Sequence, residues 1–421
     1  MIFRRRSVGV VAALAASCLF VGACGGSGDS SGGASAGAGA GAGGGGGGGA
    51  YPPIPPGPIK LGLSVPLSGG SAAAGLLSKK YFQESALPLF NAMHPHGIDG
   101  HPVELDIRND AGDTTTAVNV ANQMVDNHVA AVVNISYNLA AQPLQLAVFS
   151  KAKIPVIASV SLSSFDDVDK YPYLFSLAAS NTQQGAGSAE WFTRHPEIKS
   201  LGILGDGTLS SEDLVSSLKA GLKAKAPGVS IAKTVKIQPG AVNVSTPVAE
   251  LKGANVDAVL VALSYGHGPV WQAINAAKWS PTIITSALAW YDGFDAIGPL
   301  GEKGVGMSSY CIPADPTKLP QPVLDAMDKY TSVPGLTNYL LAAATDTLAL
   351  EVFAAAVEKV HTVDPGAIKK ALESSSSQTY LDFFRLQYTP NSHFGIAGEN
   401  GPRMCSLSQL GNGKYRIPIA K

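Results

Sequence analysis

Strand and helix patterns alternate along the chain from Ile59 onward. Short apolar runs that suit buried strands are followed by longer segments with apolar residues at helical spacing, and Asp113 is placed to cap one of the helices. The predicted strands of this first series are 59–65, 103–107, 131–135 and 154–159, and its predicted helices are 72–93, the segment after Asp113 and 139–152. Repeated strand–helix–strand units predict a parallel sheet covered by helices on both faces.

A second series of the same kind starts after Phe175. Ser210 and Asp213 form a capping-box-like start for a helix that runs to Ala226. The other predicted strands are 200–204, 230–237, 256–262 and 281–285, and the other predicted helices lie near Val248 and at 269–277, 320–331, 339–360 and 365–374. The glycine-rich run 411–413 predicts a hairpin turn between short strands. The sequence therefore predicts two similar α/β halves.

Length and charge agree with two lobes and exclude some partners. About 360 residues follow Ile59, which is more than one hydrophobic core usually serves. Without the arginines at 4–6, 27 basic residues stand against 31 acidic ones and no run of Lys or Arg remains, so nucleic acid is not an expected partner. Asp346, Glu351 and Glu358 interrupt the apolar stretch 338–360, so a buried helix fits it better than a membrane span.

The first residues have the pattern of a secretory signal. Arginines at 4–6 precede a 14-residue apolar run at 8–21, which is too short to span a bilayer, and small residues stand immediately before Cys24. This ending resembles the lipobox of bacterial lipoproteins, in which the cysteine is acylated and becomes the mature N-terminus. The resemblance implies that Cys24 is a lipid anchor at the extracytoplasmic face of the cell membrane. An ordinary cleaved signal with a coincidental cysteine is the alternative.

A tether follows Cys24. Residues 25–50 are 15 Gly, 6 Ala, 4 Ser and one Asp, a composition that stays disordered. As a flexible coil, this segment would reach roughly 25–30 Å. The proline-rich segment 51–58 is expected to be stiff and extended. With Cys18 removed and Cys24 acylated, Cys311 and Cys405 remain; a disulfide is expected in an oxidising compartment, and two separate buried thiols are the alternative.

Several short stretches carry a family resemblance through their order and spacing. They are 59–62 (IKLG) with 66–69 (PLSG) and 74–75 (AG), 90–92 (FNA) with 97–100 (GIDG), 109–113 (NDAGD) with 116–118 (TAV), 142–143 (QP) with 154–157 (IPVI), and 173–176 (YLFS) with 181–185. Together they resemble type I periplasmic binding proteins, and the branched-chain amino acid binding proteins in particular. The resemblance covers about residues 59 to 417.

The resemblance implies a fold and a division of the chain. The fold would have two doubly wound Rossmann-like α/β lobes joined by three hinge crossings, with a solute held between them at the carboxyl ends of the strands. Segments 59–178 and 309–398 would form lobe 1, segments 179–308 and 399–421 would form lobe 2, and these would follow a signal peptide at 1–23 and a tether at 24–58. Cys311 and Cys405 would each lie just past a crossing.

The resemblance also implies where a solute would bind. In lobe 1 the matching positions are Ser68, Ala74, Tyr137, Asn138, Ser159 and Ser161, the last four at the family's carboxylate contacts. In lobe 2 they are Asp206, Ser210, Tyr265, His267, Leu288, Trp290 and Tyr291. Loop capping is the alternative role for the lobe 1 carboxylate positions, and a solvent-facing side chain is the alternative for His267. No cofactor or metal is expected.

Two departures from the family pattern affect the ligand. Amino acid binders hold the ammonium group with an acidic residue at the position of Leu288, although Asp292 would substitute if the alignment slips by four residues. An aromatic residue that roofs the ligand is Ala74 here, so Trp290 and Tyr291 would line a larger pocket. A buried ammonium without a partner is costly. The sequence therefore favours a larger or more apolar carboxylate, amide or aromatic compound over a branched-chain amino acid.

Signals for catalysis are weak, so binding is the expected activity. The chain has no nucleophile elbow, phosphate-binding loop or zinc-protease motif, and a secreted hydrolase is the least favoured class. A metal at His94, His96 and His101 is disfavoured because the family keeps this turn exposed, and Asp166, Asp167 and Asp169 are expected to be solvated. The resemblance implies a monomeric solute-binding protein that serves an ABC permease; a sensor for a membrane receptor is the alternative.

Overall fold

The first lobe is built on a parallel sheet. The protein is represented by a computed structural model, which describes residues 51–69, 71–264, 266–286, 296–308, 321, 340–374, 376–380, 384–396, 403–406 and 419–420, all within the unit Ala50–Lys421. The strands are β1 (Ile59–Val65), β2 (Val103–Asn109), β3 (Ala131–Asn134), β4 (Val156–Ala158) and β5 (Leu174–Ser176). The helices between them are α1 (Ala72–Tyr81), a π-helical segment (Phe82–Ala86), α2 (Leu87–Met93), α3 (Thr114–Asp126), α4 (Gln142–Ala152) and a 3₁₀ turn (Ser163–Phe165).

The strand order of this sheet creates a crevice at its carboxyl edge. The order is β2-β1-β3-β4-β5, and every neighbouring pair is parallel. The chain builds outward from β1 to β2 on one side and then crosses β1 to build β3, β4 and β5 on the other side. The connections leaving β1 and β3 therefore diverge to opposite faces, which opens a crevice where ligands bind in open α/β sheets.

The second lobe repeats this arrangement. Its elements are α5 (Asn181–Thr193), β6 (Ser200–Gly205), α6 (Leu209–Lys225), β7 (Ser230–Lys236), α7 (Ser245–Gly253), β8 (Ala258–Ala262), α8 (His267–Ala276), β9 (Thr282–Ser286), a 3₁₀ segment (Gly298–Glu302), β10 (Val305–Ser308), β13 (Arg403–Ser406) and β14 (Ile419–Ala420). The sheet order is β14-β13-β10-β9-β8-β6-β7, in which β13 is antiparallel to both of its neighbours, β10 and β14, and the five strands from β10 to β7 are parallel to one another. The corresponding crevice lies between β6 and β8.

The chain passes between the lobes three times. It leaves lobe 1 between β5 and α5, and it returns between β10 and helix α9 (Leu340–Val360), which is followed by α10 (Pro365–Glu373), β11 (Gln378–Tyr380) and β12 (Phe384–Leu386). It then passes from Ile396, in the lobe 1 core, to β13 of the second sheet. This confirms the predicted fold class. The exact lobe boundaries stay predictions, because the second and third connections lie outside the described residues.

Helix α9 closes the lobe 1 core. Its residues from Leu348 to Val357 include six completely buried hydrophobic side chains, and they pack in one cluster with β1, α2, β11 and β12. Among the described residues, no helix is both long and apolar enough to cross a membrane. The predicted buried helix is therefore confirmed, and its charged residues lie at the edge of this core, where Glu351 is 3.1 Å from His94.

One of the two predicted helix starts is confirmed and the other is wrong. Asp113 caps α3 as expected, because its Oδ1 accepts the backbone N–H of Thr116 at 2.8 Å. The start predicted from Ser210 and Asp213 is wrong: Thr208 caps α6 by accepting the Ser211 N–H, and Ser210 already lies within the helix. The predicted helix 72–93 is continuous but contains the π-helical segment, against which α9 packs.

A buried histidine and a half-buried glutamate form an acid–base pair in lobe 1. His393 stacks on Phe175 with ring centroids 4.3 Å apart, and its Nε2 lies 2.9 Å from Glu373 Oε1. Burial lowers the pKa of His393 below its usual 6.5, although Glu373 acts in the opposite direction. Burial raises the pKa of Glu373, but hydrogen bonds from Lys369 and His393 outweigh it and leave that pKa below its usual 4.5. Both groups therefore resist protonation in the folded state.

We expect replacement of His393 by glutamine to remove part of the acid sensitivity of the fold. In the unfolded chain this histidine takes up a proton near pH 6.5, whereas in the folded protein burial makes it resist protonation. The contribution of His393 to the free energy of unfolding is therefore complete above pH 6.5 and is lost as the pH falls below that value. Through this one group, the free energy of unfolding changes by at most about 1.4 kcal/mol per pH unit. Urea unfolding at pH 7.5 and at pH 5.5 measures it, with His96→Gln at an exposed site as the control. Equal losses in the wild type and His393→Gln would contradict this expectation.

Candidate functional site

Three polar side chains meet at the crevice of lobe 1. Ser78 comes from α1, which follows β1, while Asn134 ends β3 and Tyr137 follows it. The Nδ2 of Asn134 donates to Ser78 Oγ at 3.1 Å and to the Tyr137 hydroxyl at 3.5 Å. Ser78 is 5% exposed, so its side chain supports the others from behind. Neutral hydrogen-bonding groups therefore stand between the carboxyl ends of β1 and β3.

Tyr137 offers both exposed surface and an enclosed hydroxyl. The residue is 37% exposed, whereas burial of its hydroxyl, together with the nearby negative charge of Asp346 on α9, raises its pKa to about 12. Hydrogen bonds with Ser78 and Asn134 act in the opposite direction. The hydroxyl is therefore neutral at physiological pH and able to donate or accept. It is the predicted lobe 1 residue best placed to contact a solute.

The loop after β1 is held by Asn109 at the end of β2. Asn109 Oδ1 accepts the Leu67 N–H at 2.8 Å, and its Nδ2 donates to Ser68 Oγ at 2.9 Å. Ser68 in this loop and Ala74 in the first turn of α1 are both exposed, as a solute contact requires. A Cβ at position 75 would lie 2.0 Å from the Pro66 carbonyl oxygen, so the glycine there lets α1 begin close against the end of β1.

Asn138 is used by its own loop. Its Nδ2 donates to the Gly112 carbonyl at 3.0 Å, and its Oδ1 accepts the Ala140 N–H at 3.0 Å. These bonds correspond to the loop-capping alternative. Through the bond to Gly112, the Asn138 amide joins the loop after β3 to the loop after β2.

The loop after β4 in lobe 1 is hydrogen-bonded to lobe 2. Ser159 is exposed and Ser161 is half-buried; the Ser161 carbonyl accepts the Asn181 N–H at 2.7 Å. Two residues further on, the Ser163 N–H donates to Asp213 Oδ2 at 2.8 Å, and Asn181 Nδ2 donates to the same oxygen at 3.0 Å. The first turns of α5 and α6 in lobe 2 therefore fix the lobe 1 loop that carries both predicted serines.

A second polar cluster occupies the crevice of lobe 2. Asp206 directly follows β6 and is 3% exposed. Its Oδ1 accepts the N–H and the hydroxyl of Thr208, at 3.0 and 2.7 Å. Its Oδ2 accepts the Ser264 N–H at 2.7 Å. Ser264 lies two residues after the end of β8, and its Oγ is 2.6 Å from Thr208 Oγ1. Because the Thr208 proton goes to the carboxylate, Ser264 donates to Thr208. Asp206 thus joins the two loops that flank the crevice.

Of the remaining predicted lobe 2 residues, the structure describes His267 and Ser210. His267 begins α8 and is fully buried, with its ring stacked on Trp271, so the solvent-facing alternative is wrong. Ser210 is half-buried, and its carbonyl accepts from Asn181. Tyr265, Leu288, Trp290, Tyr291 and Asp292 lie outside the described residues, as do Cys24 and Cys311. Cys405 lies in β13 opposite Gly306.

Two of the histidines near α2, His94 and His101, have partners within the protein. His94 stacks on Phe90 and lies between Glu351 and Glu358, at 3.1 and 3.3 Å, while His101 Nδ1 contacts the Gly57 carbonyl at 3.0 Å. In the part of the chain that the structure describes, no three His, Cys, Asp or Glu side chains form a group that could hold a metal ion. Asp166 of the predicted acidic patch accepts from Ser392.

Sequence reasoning missed three residues of the two crevices and the acid whose charge acts on the Tyr137 hydroxyl. Ser78, Asn134 and Thr208 are common residue types at ordinary positions, and nothing in a single sequence marks them. Asp346 did carry a signal: it is a lone acid in an Ala- and Leu-rich helix, which we interpreted only as evidence against a membrane span. Both clusters can hold a small polar group between adjacent strand ends: the lobe 1 cluster offers neutral donors and acceptors, and the lobe 2 cluster offers hydroxyls that the Asp206 carboxylate supports.

Comparison with known proteins agrees with this architecture. The family model described as "Periplasmic binding protein" matches residues 58–398. The Leu/Ile/Val-binding protein homolog 3 of Brucella melitensis is 24% identical over 318 residues, which covers 75% of this chain and 83% of that protein. The leucine binding protein LivK of Thermotoga maritima has a TM-score of 0.65 at 16% identity, covering 82% of this chain and 97% of that one.

A further solved structure of similar fold is a complex with an aromatic acid. The solute binding protein of an ABC transporter from Rhodopseudomonas palustris BisB5, in complex with 3,4-dihydroxy benzoic acid, has a TM-score of 0.70 at 17% identity and covers 86% of this chain and 96% of that one. At this identity the likeness is one of fold. With the family model matching most of the chain, the chain belongs to the periplasmic binding protein family and is a solute-binding protein, not an enzyme.

Proposed function

We propose that this protein captures a small carboxylate-bearing solute between its two lobes at the extracytoplasmic face of the membrane and delivers it to an ABC importer. The observation that carries the proposal is the pair of polar clusters, Ser78–Asn134–Tyr137 in lobe 1 and Asp206–Thr208–Ser264 in lobe 2. Each lies at the crevice of its sheet, where strand order reverses. A solute contacted from both lobes stabilises the closed form, because only that form makes both sets of contacts.

The names of related proteins support the solute class. The Brucella relative is named for leucine, isoleucine and valine, and solved structures of similar fold hold 3,4-dihydroxy benzoic acid or 4-hydroxybenzoate. All of these compounds carry one carboxylate on an apolar body. A neutral donor such as the Tyr137 hydroxyl and the exposed Ser159 suit a carboxylate, and neither adds a negative charge that would repel it.

The anchor and the crossing segments complete the proposal. We propose that Cys24 is acylated and that residues 25–58 tether the lobes to the membrane, which keeps capture near a permease in the same membrane. A disulfide between Cys311 and Cys405 would join segments next to the crossings. The proposed lobe boundaries are those expected from the family, with 59–178 and 309–398 in lobe 1.

Thermal unfolding of the full chain in mild detergent tests the proposal. The solutes are L-leucine, L-valine, 4-hydroxybenzoate and 3,4-dihydroxybenzoate, with 4-hydroxybenzyl alcohol as the control that lacks a carboxylate. A bound solute at 100 times its dissociation constant is expected to stabilise the fold by about 2.7 kcal/mol. Stabilisation by leucine or valine alone would contradict the argument from Leu288. No shift with any of these or with a wider set of small carboxylates would overturn solute capture and favour a protein partner.

A further inference from the structure

The loop after β4, residues 159–163, runs beside the first crossing between the lobes. That crossing is the connection 177–180, which joins β5 of lobe 1 to α5 of lobe 2. The loop carries Ser159 and Ser161, the two serines expected to contact a solute carboxylate. Ser159 is exposed and Ser161 is half-buried. The conformation of this loop therefore determines where lobe 1 offers these two hydroxyl groups.

Lobe 1 holds only the beginning of the loop. The Leu177 N–H donates to the Ala158 carbonyl at 3.1 Å, and Ser176 Oγ donates to the Val160 carbonyl at 2.7 Å. The side chain of Val160 is buried and packs in a hydrophobic cluster with residues of β3, β4 and α4. As far as Val160, the loop is therefore bound to the lobe in which it lies.

The rest of the loop is bound to lobe 2. The Ser161 carbonyl accepts the Asn181 N–H at 2.7 Å, and Ser163 Oγ accepts the N–H and the hydroxyl of Thr182 at 2.9 and 2.8 Å. Asn181 and Thr182 are the first two residues of α5. The partners of the loop thus change from one lobe to the other between Val160 and Ser161.

The Asp213 carboxylate of α6 completes this attachment. Its Oδ2 accepts the Ser163 N–H at 2.8 Å and Asn181 Nδ2 at 3.0 Å. Asn181 is 3% exposed and Asp213 is half-buried, so water has limited access to these bonds. Hydrogen bonds to a carboxylate are stronger than those between neutral groups. One oxygen atom therefore joins the lobe 1 loop, the start of α5 and the second turn of α6.

We propose that Asp213 is a positioning residue for solute capture: from lobe 2, it holds the loop after β4 of lobe 1 in the conformation that binds the solute. The inference rests on the proposed function and adds to it a residue that does not touch the solute. A rotation displaces atoms in proportion to their distance from its axis, and the lobes rotate about the crossings. Since Asn181 directly follows the first crossing, the bonds of Asp213 persist while the lobes open and close.

Solute affinity is the first quantity that depends on this attachment. Without the carboxylate, the Ser163 N–H and the Asn181 amide lose their common acceptor, and the loop gains conformational freedom. A solute must then order residues 159–163 when it binds, and the ordering reduces its affinity. The Ser163 amide hydrogen should also exchange faster with solvent, because local opening of the loop becomes easier.

Titration calorimetry of the full chain in mild detergent tests the first effect. The probe is the compound that gives the wild type the largest thermal shift among L-leucine, L-valine, 4-hydroxybenzoate and 3,4-dihydroxybenzoate. Asp213→Ala is expected to bind it about 10-fold more weakly, which corresponds to about 1.4 kcal/mol. Asp213→Asn keeps an oxygen acceptor without the charge and is expected to lose less affinity than Asp213→Ala.

Glu212→Ala is the matched control. Glu212 precedes Asp213 on α6, is exposed, and pairs with Lys236 of the same lobe at 2.6 Å. This variant also loses one negative charge from the first turns of α6, but it is expected to keep the wild-type affinity because Glu212 does not hold the loop.

Amide hydrogen exchange separates positioning from a general loss of structure. In solute-free Asp213→Ala, the Ser163 amide is expected to exchange at least about 10-fold faster than in the wild type, while the amides of β4 and of the later turns of α6 keep their wild-type rates. A saturating concentration of the probe should restore protection at Ser163, because the bound solute orders the loop. A variant that only loosened the fold would exchange faster in β4 and α6 as well.

The outcomes separate this inference from the proposed function. Wild-type affinity in Asp213→Ala, an equal loss in Glu212→Ala, or weaker binding without faster exchange at Ser163 would overturn the role of Asp213, while binding by the wild type would leave solute capture intact. If Asp213→Ala does not fold, the same measurements on Asp213→Asn decide, and wild-type values for both would overturn the inference. If no compound binds the wild type, the proposed function is overturned and the inference with it.

Discussion

Replacement of Asp206 by alanine is expected to lower the free energy of unfolding by about 4 kcal/mol and to remove solute binding. The buried carboxylate accepts two backbone N–H groups, from Thr208 and Ser264, and the Thr208 hydroxyl. The substitution leaves these donors inside the protein without an acceptor. Because they sit on the two loops that border the lobe 2 crevice, the loops also lose their common support. Urea unfolding measures the first effect, and calorimetry with the solute identified by thermal screening measures the second.

Asp257 provides the matched control for this effect. Its Oδ2 also accepts three hydrogen bonds, each of 2.9 Å, from the Lys199 and Ser200 N–H groups and from the Ser200 hydroxyl. This carboxylate joins β6 and β8 at their amino ends, away from the crevice, and it is exposed. Asp257→Ala should therefore cost clearly less stability, since water replaces the lost bonds, and should leave solute affinity unchanged. Equal losses in the two variants would argue against a special role for Asp206.

Replacement of Gly185 by alanine is expected to lower the free energy of unfolding by about 3 kcal/mol. Gly185 lies in α5 where that helix meets α6, and a Cβ there would lie 2.5 Å from Ser217 C and 2.6 Å from Leu218 N. These are backbone atoms of α6, which cannot rotate away. The two helices must separate, and α5 follows directly on the first crossing between the lobes. Chemical unfolding of the variant measures the loss.

The same substitution at Gly253, in α7, is expected not to destabilise the protein. A Cβ at this position has nothing within 4 Å, so alanine adds no clash and restricts the unfolded chain. Gly253→Ala should leave stability unchanged or raise it by about 0.5–1 kcal/mol. A loss at Gly253 as large as that at Gly185 would mean that helix approach is not the cause of the Gly185 effect.

The elements were largely predictable because each depends on local chemistry. The strand β1 and the cap at Asp113 follow from apolar runs and from a carboxylate near a free N–H, both of which are visible in a few residues. The start of α6 was not predictable in this way. Ser210 and Thr208 are equally good local caps, and Thr208 is selected by bonds with Asp206 and with Ser264, which is 56 residues away along the chain.

The candidate site was predictable only in outline. Family resemblance placed Tyr137 and Asp206 at the crevices, but it could not say that Asn138 is used by its own loop or that His267 is buried. Those outcomes depend on neighbours that the sequence keeps far apart. The Asp213 carboxylate illustrates this, since it reaches across to Ser163 of the other lobe, 50 residues earlier in the chain.

The sequence by itself determined the alternation of strands and helices, the two α/β halves and the family resemblance, because periodicity and composition are properties of short segments. Only the tertiary structure decided which strands adjoin, and therefore where each sheet opens a crevice. It also enclosed the Tyr137 hydroxyl and let the negative charge of Asp346, more than 200 residues away along the chain, act on it; both effects raise the pKa of that hydroxyl. The physical reason is burial: an acid in an apolar helix acquires its chemistry from what encloses it, and the enclosing atoms come from other parts of the chain.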